Sequence, residues 1–499
     1  MRVTTFVLAI SIILGVIVRL VPTLYTQEPF SVDVWPLIRL SNKILESPDT
    51  RIWNDTALGG YNNKWPAVLL ETVCLSRVSG LAVDSILSII DVMISILSLI
   101  LMAYILILRR DSMTYLSTLS ILVISSIPSF TLFTSTTLKE VYSYPIALSI
   151  ILITLVTRGI VLRVTLLAIL SLSISLSHPL TPLMILSILS TYLFVYLIDL
   201  LEGYRGDRGG DKRSIMIILP VLGIVYLLYT ISYGWGGLRY VISLEDLISL
   251  TLITASLYGW YALFRHGNSK LTLLILLPII LYFSAEYFKT LSSSELLLYV
   301  IPLVLLLLPN IYFKNTLIDI SILPIAVAIV FIVFIKPLFL TIVHRVLDYL
   351  IISCFLASLI YLSSSRLFRV YTITSLITSI FITMLVIFNV SIGLDQILFY
   401  WRYTQSEVES FNIINSLSVE RSVCGDVKVM YFLGGSSGSC QLEFLRGVHS
   451  DSVFVLYRDN YRYGYVLSPI DIYRLDDSQI RRALNLVYNS MSTQGYIDA

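Results

Sequence analysis

Apolar stretches about 20 residues long recur from the N-terminus to residue 392, and little but a membrane protein can be built from them. A helix of that length covers the ~30 Å of hydrocarbon in a bilayer. Such stretches lie near 3–24, 81–108, 113–134, 140–157, 161–177, 179–201, 214–233, 247–264, 271–288, 296–313, 316–335, 338–362 and 370–392. They predict an all-α polytopic membrane protein of about 13 transmembrane helices. Composition points the same way. Of 499 residues, 13% are charged and 57% are hydrophobic, whereas a soluble domain carries roughly 25% charge. Mean hydropathy is +0.86. The first stretch is longer than the apolar region of a signal peptide, and those that follow would hold the chain in the membrane, so cleaved secretion is not expected. The segment 65–79 is apolar but short and carries Glu71 and Arg77, so it reads as a helix lying in the interface.

Basic residues set the expected orientation, because cytoplasmic loops collect Lys and Arg. Arg109 and Arg110, Arg158 and Arg163, the cluster Arg205, Arg208, Lys212 and Arg213, Arg265 with Lys270, Lys314, and Arg366 with Arg369 fall in alternate loops. With the N-terminus inside, an odd number of spans puts the C-terminus outside. Two polar regions, 25–80 and 393–499, then share the external face, the first within a transmembrane domain 1–392 and the second a domain of its own. A net charge of +2 gives no basic face for nucleic acid. Four cysteines are too few for a disulfide scaffold or a zinc array.

The C-terminal region changes character and reads as a small α/β domain. A polar helical stretch (TQSEVESFNIINSLS) precedes β-rich runs such as VKVMYF and SVFVLYR, and an amphipathic helix is expected from about Asp476, capped by Asp476, Asp477 and Ser478. Cys424 and Cys440 both lie there, on a face where oxidation is permitted, and a disulfide between them is expected. Cys74 and Cys354 sit in apolar surroundings and read as buried thiols.

Charges at membrane depth are costly, so each is a functional candidate. Asp33 follows the first span by a few residues and is flanked by Val34 and Trp35, which is poor company for a merely solvated acid. Glu28, Asp49 and Asp55 share its loop, and for Asp49 and Asp55 solvation is reason enough. Lys139 and Glu140 are the charges of the next external turn. Lys139 fits an interface anchor, and Glu140 suits either a helix N-terminus or a site. His178, in the run HPLTP, either caps a helix or lines a polar cavity. His344 and Arg345 lie about two turns into the twelfth span, where Arg345 would pair with Asp348 or with an anionic ligand such as a lipid phosphate. Glu286 is a weaker candidate.

The chain resembles the GT-C class of integral-membrane glycosyltransferases, which use polyprenyl-linked sugars. The resemblance spans nearly the whole chain. It rests on Arg19-Leu20-Val21-Pro22 at the end of the first span, a large first external loop with the early acid Asp33, the second-loop acid Glu140, and the His178-Pro-Leu-Thr junction. The layout is similar to the catalytic subunit of oligosaccharyltransferase. The resemblance implies that Asp33 is the catalytic carboxylate, that Glu140 assists it, and that the two would hold any divalent metal, Mg or Mn. In such a reaction Arg345 would stabilise the leaving phosphate, and His178, His344 and Trp35 are the further candidates for substrate contact. The acceptor-reading run Trp-Trp-Asp-Tyr-Gly is missing, and only one acid occupies the second loop. A single-sugar transferase with a polyprenyl-phosphate donor and a glycan, lipid or protein acceptor is therefore the better fit, acting in protein glycosylation or an allied process at the cell membrane. A transporter or lipid flippase is the alternative, less suited to an odd span count and a long acidic first loop.

Overall fold

The computed structural model describes residues 2–109, 127–136, 138–157, 159–201, 212–236, 243–264, 316–335, 345–346, 348–349, 366–394, 398–417, 422–434, 452–463, 465–467, 472–474, 484–489 and 493–498. Among the described residues five helices are long and apolar enough to cross a membrane: Thr5–Thr26, Val83–Met102, Ile160–Ser177, Leu180–Leu201 and Met216–Gly234. The helices Lys139–Val156, Leu244–Phe264, Thr316–Ile335 and Arg366–Ile392 fill four more of the apolar stretches. The stretches at 271–288 and 296–313, and most of those at 113–134 and 338–362, lie outside the described residues. The count of thirteen and the sidedness thus rest on the sequence.

These helices are patterned for lipid. In the first, Arg2–Thr26, the residues Phe6, Ile10, Ile13, Ile17 and Leu24 form an exposed stripe at helical spacing, while Ser11, Val18 and Arg19 are buried behind it. Asp91–Arg109 repeats the scheme, with Met93, Leu97, Ile100 and Tyr104 outward and Ser95 and Ser98 inward. So does Arg366–Ile392, with Ile377, Phe381, Met384 and Phe388 outward and Ser379, Thr383 and Ser391 inward. A soluble helix does the reverse. Where lipid is the solvent, small and hydroxyl-bearing residues mediate close helix packing. The inward hydroxyls satisfy themselves on their own helix, as Ser11 does on the Val7 carbonyl (2.7 Å) and Ser391 on that of Ile387 (2.7 Å). The first and last of these helices pack together through Val18, Ile382, Val386 and Val390.

At one end of the bundle the segment after the first helix folds into the amphipathic helix Val34–Glu46, the helix Ala67–Ser79 and short turns between them. The helix expected over 65–79 is therefore present. Its residues Val68, Leu69, Thr72 and Val73 are buried and Val78 is exposed. Val34–Glu46 buries Val34, Trp35, Leu37 and Ile38 in a core that also contains Val68, Leu69, Tyr403, Phe411, Val427, Phe432 and Tyr457. One core thus joins the first loop to the C-terminal region.

That region holds the helix Gln405–Leu417 and a four-stranded sheet in which Ser422–Gly425, Ser452–Tyr457, Thr493–Asp498 and Leu484–Asn489 lie side by side in that order. Its strands are β1 (Ser422–Gly425), β2 (Ser452–Tyr457), β5 (Leu484–Asn489) and β6 (Thr493–Asp498). β1 and β2 are parallel and the other pairs antiparallel. A separate pair is formed by β3 (Tyr465–Leu467) and β4 (Ile472–Arg474).

Three expectations are corrected here. VKVMYF is not a strand but lies in the helix Val427–Leu433, because the Asp426 carboxylate accepts the N–H groups of Lys428 (2.9 Å) and Val429 (3.2 Å) and Gly434 closes the helix at φ 77°. The chain end does not carry the expected amphipathic helix through to its close; residues 484–489 and 493–498 pair as strands, and the alternation in LNLVYN outweighs the capping acids before it. Cys74 is exposed rather than buried, since its side of Ala67–Ser79 faces away from the shared core. Cys424 is disulfide-bonded. Cys440 and Cys354 lie outside the described residues.

Candidate functional site

Asp33, Glu140 and Arg345 come from three distant parts of the chain and meet where the loop core caps the helices. Asp33 is the N-cap residue of Val34–Glu46, and its side chain makes no capping bond, which leaves the carboxylate free to point elsewhere. It accepts a hydrogen bond from Arg345 Nη2 at 3.2 Å. Arg345 Nε lies 3.8 Å from Glu140 Oε2. Glu140 occupies the first turn of Lys139–Val156 and is fully buried, while the side chains of Arg345 and Asp33 keep 28% and 34% of their exposure. A guanidinium therefore lies between an inner and an outer carboxylate and remains reachable from outside the protein.

The backbone leading to Asp33 is tense. Ser31 has φ 103° and Gln27 φ 60°, in the region that side chains other than glycine rarely adopt. Such residues cost on the order of 1–3 kcal/mol and persist only where the surroundings hold them. Here Ser31 N–H donates to the Trp401 carbonyl at 2.7 Å, and Ser31 Oγ accepts the Asp33 N–H at 3.2 Å. Trp401 in turn packs on Phe30 and Phe133, and the Arg345 guanidinium lies over the Phe133 ring, 5.5 Å from its centroid.

A hydroxyl hub fixes the other side. Thr181 accepts from Tyr349 (3.0 Å), contacts Ser143 (2.6 Å) and lies 3.1 Å from His178 Nδ1. Tyr349 is one helical turn beyond Arg345, and Ser143 is one turn beyond Glu140. Hence His178 is buried and joins the site through Thr181 rather than by touching Arg345. Lys139 is more than an interface anchor. Its ammonium donates to the Asn62 side chain (2.6 Å) and lies 5.1 Å from the centre of the Tyr61 ring, so it fastens the first loop to this helix.

Several expectations change. Arg345 pairs with Asp33 and Glu140, and neither oxygen of the buried Asp348 has a hydrogen-bond partner. Asp348, three residues on, lies near enough for its charge to interact with Arg345 and Glu140 but makes no ion pair with Arg345. Trp35 is not offered to a ligand: its ring packs against Phe432 and Tyr403 at 4.5 and 5.0 Å in the shared core. Asp49 is exposed. Asp55 pairs with Lys64 at 2.9 Å, and hydrogen bonds from Lys64 and then Asn63 hold its carboxyl below the ordinary range. Glu28, half-buried, is pushed up to about 7, chiefly by burial and further by Asp84 and Glu409. His344 and Glu286 lie outside the described residues.

The residues do not fit a divalent metal held by Asp33 and Glu140. Arg345 already lies between them, and Lys139 is near enough to Asp33 for their charges to interact. Among the described residues no group of three His, Cys, Asp or Glu side chains comes together as ligands.

The sequence matches no protein-family model and no curated protein. Among solved structures, the Archaeoglobus fulgidus oligosaccharyltransferase, determined in complex with Zn and sulfate, is similar over 83% of this chain with a TM-score of 0.49 and 13% identity. The chain spans 56% of the length of that protein. A likeness of this degree carries no argument about activity.

Proposed function

We propose that this chain is a membrane glycosyltransferase that moves one sugar from a polyprenyl-phosphate-linked donor to an acceptor hydroxyl on the external face. The observation that carries this reading is Arg345, held at 3.2 Å from the half-exposed Asp33 with the buried Glu140 behind it. A guanidinium presents parallel N–H groups that suit phosphate oxygens. The lipid tail of such a donor stays among the apolar helices while its phosphate reaches Arg345 at their end. As the phosphate takes up the Arg345 Nη2 donor, Asp33 is freed to accept the proton of the acceptor hydroxyl. The acceptor oxygen then bonds to the anomeric carbon, the bond from that carbon to the phosphate oxygen breaks, and polyprenyl phosphate leaves with the electron pair. General-base assistance of this kind contributes about 10²–10⁴ in rate. Arg345 steadies the negative charge that develops on the leaving phosphate.

The acceptor class is open among glycan, lipid and protein. The test is transfer of radiolabelled sugar from polyprenyl-phosphate donors in membranes carrying the chain, with product formation on the external face. If no sugar moves but lipid or solute crosses the bilayer in an Arg345-dependent manner, the transporter reading replaces this one.

A further inference from the structure

Building on that reading, we propose that Arg345 takes the place a divalent cation would hold between Asp33 and Glu140, so that the chain meets the donor phosphate without a metal. Three observations support this. The first is position: Nη2 is 3.2 Å from Asp33 and Nε 3.8 Å from Glu140, so the two acids share one guanidinium. The second is fixation. Arg345 is stacked over Phe133 and followed one turn later by Tyr349, which is anchored on Thr181, so the cation is built into the packing. The third is charge. The Arg345 guanidinium already lies between the two carboxylates, and a dipositive ion entering there would meet its repulsion.

A divalent ion and a guanidinium differ in chemistry. The ion attracts phosphate through several ligand positions and leaves with chelators, whereas the guanidinium offers directed donors and cannot be stripped away. The experiment uses the purified full chain in nanodiscs and has two arms. In the first, Mn²⁺ binding is followed by loss of the free-ion EPR signal, which requires no turnover. Wild type should bind no stoichiometric Mn²⁺, and Arg345→Ala should gain one site that disappears again when Asp33→Asn is added. In the second, transfer from the polyprenyl-phosphate donor is measured with EDTA, Mg²⁺ or Mn²⁺. Wild type should vary by no more than about twofold, while Arg345→Lys, which keeps the charge but loses the fork, should fall by about tenfold or more in all three. One Mn²⁺ per wild-type chain, removed by Asp33→Asn, would overturn the inference. So would a chelator-sensitive activity restored by Mn²⁺. Because the binding arm stands without turnover, a failure of the glycosyltransferase reading would show as absent transfer alone.

Discussion

At the scale of single residues, the site depends on which atoms Asp33 and Arg345 hold. Asp33→Asn keeps the size and the contact with Arg345 but cannot take up a proton at neutral pH. Transfer should fall by about 10²-fold or more, with donor binding and expression near normal. Sugar transfer and lipid-donor binding measured side by side will decide; wild-type turnover in this variant would remove Asp33 from the mechanism. Asp55→Asn, in the same loop, should alter transfer by less than about twofold, because its partners are Lys64 and Asn63 rather than Asp33, Glu140 or Arg345. Asp33, Glu140 and Arg345 were legible in the sequence because ionised groups beside long apolar runs are conspicuous and costly. Tyr349 was not, being one of 32 tyrosines, and although Thr181 lies in the His178-Pro-Leu-Thr junction, only the fold shows that the two touch. The burial of Trp35 was not legible either, because the residues that cover it, Phe432 and Tyr403, lie far away in the C-terminal region.

At the scale of elements, Val34–Glu46 positions Asp33, and the C-terminal region positions that helix. Arg39, near its middle, donates to the carbonyls of Tyr431 and Phe432 at the end of Val427–Leu433, where a cation meets the helix C-terminus. Arg39→Met keeps much of the stem packing and removes these bonds. It should cost about 1.5–3 kcal/mol, the usual worth of a hydrogen bond to a charged group. Thermal unfolding together with the transfer rate will show whether turnover drops with stability. Lys428 is a second fixing point. It is fully buried, pairs with Glu407 at 2.7 Å and lies 4.6 Å from the centre of the Tyr457 ring. Glu407→Gln should destabilise the region by about 3–5 kcal/mol by leaving that ammonium uncompensated. Adding Lys428→Met should recover much of the loss, as a double-mutant cycle of unfolding free energies would reveal. The five spans among the described residues were readable from length and hydropathy. The strand or helix state of VKVMYF was not, because a six-residue alternation cannot outvote a carboxylate cap on one side and a left-handed glycine on the other.

At the scale of the whole molecule, two expectations follow. Asp426 is buried and accepts hydrogen bonds from Tyr457 and Asn460, yet burial still pushes it up to about 6. The folded state then holds a proton that the unfolded chain has already released. Its contribution to stability is present below the ordinary carboxyl range near 3.8 and is lost as pH rises through about 6. Unfolding temperatures measured from pH 4 to 7 should thus show a falling component in wild type that Asp426→Asn abolishes. The second concerns orientation, for which the alternating basic loops are the warrant. In a background lacking Cys74, single cysteines placed at Gly206 and Ser436 should label from opposite faces, the former only from the cytoplasm. Labelling of both from one face would invalidate the shared external placement of the loop and the C-terminal region.

The core that joins residues 32–87 to residues 403–457 also sets a timetable. Arg39 waits for a partner 392 residues downstream, a delay of about 20–80 s at synthesis rates of ~5–20 residues per second. Throughout that interval the apolar face of Val34–Glu46 is covered only by its local neighbours Val68, Leu69, Val83 and Leu87. The earliest part of the site to be made is therefore the last to settle. A ribosome that stops short of Tyr457 leaves a nascent chain whose inserted helices can be complete while the helix that carries Asp33 still lacks part of its core. Quality control would see such a chain as unfinished through its exposed loop, long before any failure of its spans.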